Sequence, residues 1–111
     1  MKILLLEDDV MLNESICEYL ESLNHKVDGY FDGKMVYEAL QSNLYDLCIL
    51  DINVPNVDGI TLLEKLHEQK VFIPTIYISA LVDIEDISRA YALGCYDYLK
   101  KPFHLKELAL K

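Results

Sequence analysis

The stretch 47–59, LCILDINVPNVDG, decides how the chain is read. Leu47, Cys48, Ile49 and Leu50 form an unbroken apolar run that ends on a carboxylate, Asp51, and the residues behind it (Asn53, Pro55, Asn56, Asp58, Gly59) carry turn chemistry. A continuous apolar run, rather than an alternating one, marks a strand covered on both faces, which is the usual condition of a parallel sheet. A strand built for burial therefore delivers an acid at its tip. Alone, Asp51 reads as a strand-end turn residue. Its meaning depends on what else arrives at the same place.

Outward from this stretch, apolar runs alternate with segments of helical period. Strands are expected at Lys2–Leu6, Lys26–Tyr30, Asp46–Asp51, Pro74–Ser79 and Cys95–Leu99. The second carries polar residues and suits an edge. Between them Leu12, Ile16, Leu20 and Leu23 repeat at three- and four-residue steps, as one apolar helix stripe does. Val36, Ala39 and Leu40 mark a second helix with Asp32 as its cap, and Ile60, Leu63 and Leu66 a third. Ile84, Ile87 and Tyr91 mark a fourth, between a capping Asp83 and a terminating Gly94. A fifth begins after Pro102, with Leu105 and Leu108 on one side, and reaches Lys111 short of the usual three turns, so it is expected to continue in a longer protein. Strict βα alternation with short connections implies a single α/β domain, a doubly wound parallel sheet of five strands with right-handed crossovers. Ligands of such sheets gather beyond the carboxyl ends of the strands.

Composition narrows the function. With 111 residues there is room for one domain, and a hydrophobic fraction of 52% is ample for its core. No apolar stretch approaches the roughly 18–20 residues of a membrane span, and MKILLLEDD meets acids too soon for a signal peptide. A cytoplasmic protein without membrane contact is expected. Nineteen acids against ten bases give a formal net charge of −9, which repels a phosphate backbone, so no nucleic acid is expected on this domain alone. Cys17, Cys48 and Cys95 are odd in number and lack ligand spacing, and they read as reduced packing residues. His25, His67 and His104 show no ligand motif either.

At one edge of the expected sheet, strand one delivers Glu7-Asp8-Asp9, strand three Asp51, strand four Ser79, and strand five Lys100-Lys101-Pro102. Each has a plain explanation alone: acids at a helix N-terminus, a loop hydroxyl, a solvated lysine. The agreement of four strand ends favours a common site. Carboxylates gathered against low-dielectric walls repel by several kcal/mol, at an effective dielectric of about 20. A divalent cation removes that strain, and a small set of hard oxygen ligands, completed by water and phosphate, suits Mg²⁺. Lys101 adds a point charge able to meet a phosphoryl oxygen.

The segments ILLLEDD (3–9), DLCILDINVPNVDG (46–59), PTIYISA (74–80) and GCYDYLKKPF (94–103) together resemble the response-regulator receiver domain of two-component signalling, over essentially the whole chain. The first and last are similar to receivers fused to winged-helix DNA-binding domains, the OmpR/PhoB type. The resemblance implies a flavodoxin-like sheet of order 2-1-3-4-5 and a regulatory phosphoacceptor rather than an enzyme. Asp51 then corresponds to the phosphoacceptor and Lys101 to the lysine that contacts the phosphoryl group. Ser79 corresponds to the switch hydroxyl and Tyr98 to the switch aromatic. Mg²⁺ is implied on Asp8 and Asp51 directly, on Glu7 through water and on the backbone carbonyl of Asn53. The implied partners are a sensor histidine kinase and, after phosphorylation, a second copy through the face of helix four, strand five and helix five. Arg89, Asp97, Glu107 and Lys111 stand where such receivers place ion pairs, and a solvated charged face explains them equally well. DNA is implied for a full-length protein that controls transcription.

This sequence departs from the pattern at three positions. Glu7 replaces the more general Asp, Ser79 replaces the Thr of many members, and Tyr96 stands where an acid is common. Two rivals remain. A haloacid-dehalogenase-like phosphatase also places a nucleophilic Asp at a strand tip, but it wants a second acid two residues on, where this chain has Asn53. A pseudo-receiver serving only as an interaction module is the other, and chemistry at Asp51 separates it.

Overall fold

The computed structural model describes residues 1–42, 44–51, 64, 65, 68, 73–79, 88, 97–101 and 105–109. Five strands, β1 (Lys2–Leu6), β2 (Lys26–Tyr30), β3 (Leu47–Asp51), β4 (Thr75–Ser79) and β5 (Asp97–Lys100), form a parallel sheet of order β2-β1-β3-β4-β5. Helix α1 (Val10–Ser22) follows β1, α2 (Gly33–Ser42) follows β2, and a C-terminal helix covers Leu105–Ala109.

Side-chain alternation along the strands creates two cores. Leu4, Leu6, Leu50 and Tyr77 face one way and meet Val36, Ala39 and Leu40 of α2. Ile3, Leu5, Ile49, Ile76 and Ile78 face the other and meet Ile16 and Leu20 of α1 and Leu108 of the C-terminal helix. The apolar runs of β1, β3 and β4 are continuous because both faces are covered. Each fully buried Leu or Ile contributes about 1.5–3 kcal/mol relative to exposure. The polar residues of β2 are tolerated because it pairs with β1 alone and forms the edge.

Local chemistry sets the helix ends. Asp9 caps α1, its Oδ1 accepting the Leu12 N–H at 3.2 Å. Asp32 caps α2 as expected: its Oδ1 accepts the Lys34 N–H at 2.8 Å, and its carbonyl the Val36 N–H. Helix α1 stops where Asn24 takes a left-handed φ of 70°, while the His25 N–H closes back on the Leu20 carbonyl.

Some expectations shift. Leu23 continues the apolar spacing of α1 but sits at its C-cap, 44% exposed, so the stripe ends at Leu20. Asp46, expected as the first residue of the third strand, lies just before β3, its side chain accepting the Lys2 N–H at 2.7 Å. Strand β5 runs on through Lys100, one residue past the expected end, and Cys95 lies outside the described residues. Of the third and fourth helical segments, Glu64, Lys65, Glu68 and Ser88 have helical backbone, and their apolar stripes, Asp83 and Gly94 lie outside the described residues. No helix among the described residues is long and apolar enough to cross a membrane.

Candidate functional site

Strand register assembles the site. Leu6, the last residue of β1, lies beside Tyr30 on one side and Leu50 on the other, so Glu7 and Asp51 emerge next to each other. Asp51 pairs with Ile78, and Ser79 with Lys100, which places Ser79 and Lys101 at the same sheet edge.

Three carboxylates meet there: one oxygen each from Glu7, Asp8 and Asp51 lie within 4.8 Å of one another. Glu7 is fully buried and Asp51 is 3% exposed, while Asp8 opens to solvent. Lys101 reaches in from the end of β5. Its Nζ donates to Asp51 Oδ2 at 2.8 Å and forms an ion pair with Glu7 Oε1. The other Glu7 oxygen, Oε2, accepts the Asp9 N–H at 3.0 Å. Glu7 is therefore held from both sides. Its burial also separates it from Asp9, the helix-capping acid, so the run Glu7-Asp8-Asp9 divides into two pocket acids and one cap.

The electrostatics follow from crowding. Partial burial, then a hydrogen bond and repulsion from Glu7, raise the Asp8 carboxyl above its ordinary 3.8, against the pull of Lys101. Burial depresses the Lys101 ammonium, but hydrogen bonds and charges from Asp51 and Glu7 outweigh it and hold Lys101 above the usual lysine value. With every group ionised, three carboxylates against one ammonium leave two negative charges. That surplus, on hard oxygen donors with one open side, fits a divalent cation such as Mg²⁺.

Asn53, expected as a backbone ligand, lies outside the described residues. Ser79 and Tyr98 are placed by their backbone, Ser79 as the last residue of β4 and Tyr98 opposite Tyr77 in β5. Of the expected dimer-face residues, Arg89 and Lys111 lie outside the described set, and Asp97 is in β5 and Glu107 in the C-terminal helix.

Sequence reasoning passed over Asn13. It is 3% exposed, and its Nδ2 donates to the carbonyls of Glu7 and Tyr30, each at 3.0 Å. The signal was present: Asn13, Ile16 and Leu20 share one helical face, so a polar residue stands in a core position.

Comparison with known proteins bears on the family and the fold. Residues 3–111 match the family described as the response regulator receiver domain. The transcriptional regulatory protein CrdR of Helicobacter pylori is 43% identical over 108 residues, covering 96% of this chain and 51% of that protein. CiaR of Streptococcus pneumoniae, also a transcriptional regulatory protein, is 38% identical, covering 99% of this chain and 49% of its own length. The chain thus spans about half the length of these curated relatives. Among solved structures, the receiver domain of Francisella response regulator 1452 superposes with a TM-score of 0.91 at 34% identity, covering 98% of this chain and 90% of that one. The BeF3-activated receiver domain of Klebsiella pneumoniae RstA gives 0.88 at 27% identity, covering 99% and 93%.

Proposed function

The chain belongs to the response regulator receiver domain family, and from that premise we propose that Asp51 accepts a phosphoryl group from a phosphohistidine on a sensor kinase. A carboxylate oxygen of Asp51 forms the new P–O bond, the P–N bond to the imidazole breaks, and the departing imidazole takes a proton from water. The product is an acyl phosphate on Asp51. Such transfer asks for positioning and charge stabilisation more than for protein acid–base chemistry.

The contact that carries this reading is Lys101 Nζ at 2.8 Å from Asp51 Oδ2, beside the carboxylates of Glu7 and Asp8. Lys101 holds Asp51 before transfer and follows the incoming phosphoryl oxygen after it. Asp8 and Asp51 would hold Mg²⁺, with Glu7 and, as the resemblance implies, Asn53 completing the protein's part of the site. When bound, the ion would supply positive charge to the transferring oxygens. Ser79 then serves as the switch hydroxyl for the phosphoryl group, and Tyr98 as the switch aromatic that carries the change to β5. The signal is a population shift of the face formed by the fourth helical segment, β5 and the C-terminal helix, which pairs two copies. Residues 1–111 lie within one receiver domain, acting in the cytoplasm. By analogy with the transcriptional regulatory proteins it resembles, it controls a DNA-binding effector in a longer protein.

The test is labelling by acetyl phosphate in Mg²⁺, followed by intact mass. The native chain gains one phosphoryl group and Asp51→Asn gains none. Stoichiometric labelling of Asp51→Asn would move the acceptor elsewhere.

A further inference from the structure

We infer that Asn13 is a positioning residue for the cation pocket: its buried amide clips the tip of β1 to the tip of β2 and thereby aims Glu7 and Asp8. The inference rests on the reading of Glu7, Asp8 and Asp51 as a Mg²⁺ pocket and names the group that holds two of those acids in place.

The amide is fully used. Its two N–H bonds go to the carbonyls of Glu7 and Tyr30, and its Oδ1 faces the Cys17 thiol at 3.5 Å. The orientation follows from the partners, because exchanging oxygen and nitrogen would point lone pairs at two carbonyl oxygens. The Tyr30 carbonyl also accepts the Glu7 N–H at 3.0 Å, so both peptide groups flanking the Glu7 Cα are tied down. The Glu7 carbonyl belongs to the same peptide plane as the Asp8 N–H. Fixing it fixes where Asp8 leaves the strand. Removing groups that orient metal ligands costs about 10–100-fold in metal affinity.

Gly29 supports the clip from β2. A Cβ there would lie 2.5 Å from Asn13 Oδ1 and 3.0 Å from Cys17 Sγ, so strand and helix approach closely enough for the amide to span them only because Gly29 has no side chain. The sequence thus offers two independent ways to disturb one amide: delete it, or push it.

The experiment is titration of the chain with MgCl₂ by calorimetry, on the native protein, Asn13→Ala, Gly29→Ala and the double variant. Leu40→Ala, on the opposite core, is the control for lost stability alone. Asn13→Ala and Gly29→Ala should each weaken Mg²⁺ binding about tenfold, with Leu40→Ala within twofold of native. In the double variant Gly29→Ala should cost little more, since no amide remains to displace. Native binding with Asn13→Ala and Gly29→Ala both within twofold overturns the positioning role and leaves the pocket standing, as do fully additive losses. No Mg²⁺ binding by the native chain overturns the pocket reading, and this inference with it. Should Asn13→Ala fail to fold, Gly29→Ala against Leu40→Ala decides.

Discussion

Lys101 and Asp51, fifty residues apart in the chain, are joined by a hydrogen bond of 2.8 Å, and the same ammonium is paired with the fully buried Glu7. One cation from the end of β5 therefore pairs with acids from the ends of β1 and β3. Removing one member of a buried ion pair leaves the others uncompensated, which costs about 3–5 kcal/mol.

Lys101→Ala should accordingly lower the stability of the metal-free chain by about that amount. Without the competing ammonium the three carboxylates should bind Mg²⁺ more tightly than in the native chain, and tighter binding to the folded state returns more stability, so millimolar Mg²⁺ should narrow the gap between variant and native. Urea denaturation in EDTA and in Mg²⁺ measures both. A variant as stable as the native chain in EDTA would mean that Glu7 and Asp51 do not depend on Lys101.

Asp8 gives the pH dependence. Its folded-state carboxyl is raised above 3.8, first by burial and then by Glu7. The folded state therefore binds this proton more tightly than the unfolded state. The associated stability is fully present below 3.8 and is lost as pH rises through the raised value. In EDTA, Asp8→Asn should remove that decline. At neutral pH it should melt higher than native by about 2–4 °C, a figure kept small because Asp8 faces solvent. In Mg²⁺ the order should reverse, because the ion favours the ionised acid. Melting curves across this window check the sign, and an unchanged decline in Asp8→Asn would assign it to another group.

Cys48 lies within β3 with both faces of the sheet covered, and burial pushes its thiol up to about 12. It should resist iodoacetamide at pH 8 in the folded chain and react fully in urea, as peptide mass spectrometry would show. Its contribution to stability is complete below 9.0 and is lost as pH rises through about 12. Rapid native labelling of Cys48 would mean that β3 opens on its own.

The sheet was legible because its signals are local. Unbroken apolar runs ending in acids announced β1 and β3, and polar residues announced the edge position of β2. Asp32 announced the start of α2 four residues before its first buried side chain, Val36. What escaped depends on approach between segments. Asn13 shares the buried face of Ile16 and Leu20, but what its amide holds emerges only when Tyr30 and Gly29 of β2 are brought against it. The burial of Glu7 follows from Tyr30 on one side and Lys101 on the other, neither near it in sequence. Leu23 misled because periodicity records spacing and cannot see the left-handed Asn24 that ends the helix.

Asp9 offers the cleanest separation of fold from site. It shares a run of three acids with Glu7 and Asp8, yet its carboxylate caps α1 through the Leu12 N–H, and its own N–H donates to Glu7 Oε2. Asp9→Ala keeps that backbone donor and loses the cap. It should destabilise the chain by about 1 kcal/mol, while the rise in melting temperature produced by Mg²⁺ stays within error of native. Asp8→Ala should do the opposite, abolishing the Mg²⁺ response without harming the helix. If Asp9→Ala lost the Mg²⁺ response as Asp8→Ala does, the cation would have to lie nearer the helix end, with Asp9 among its ligands.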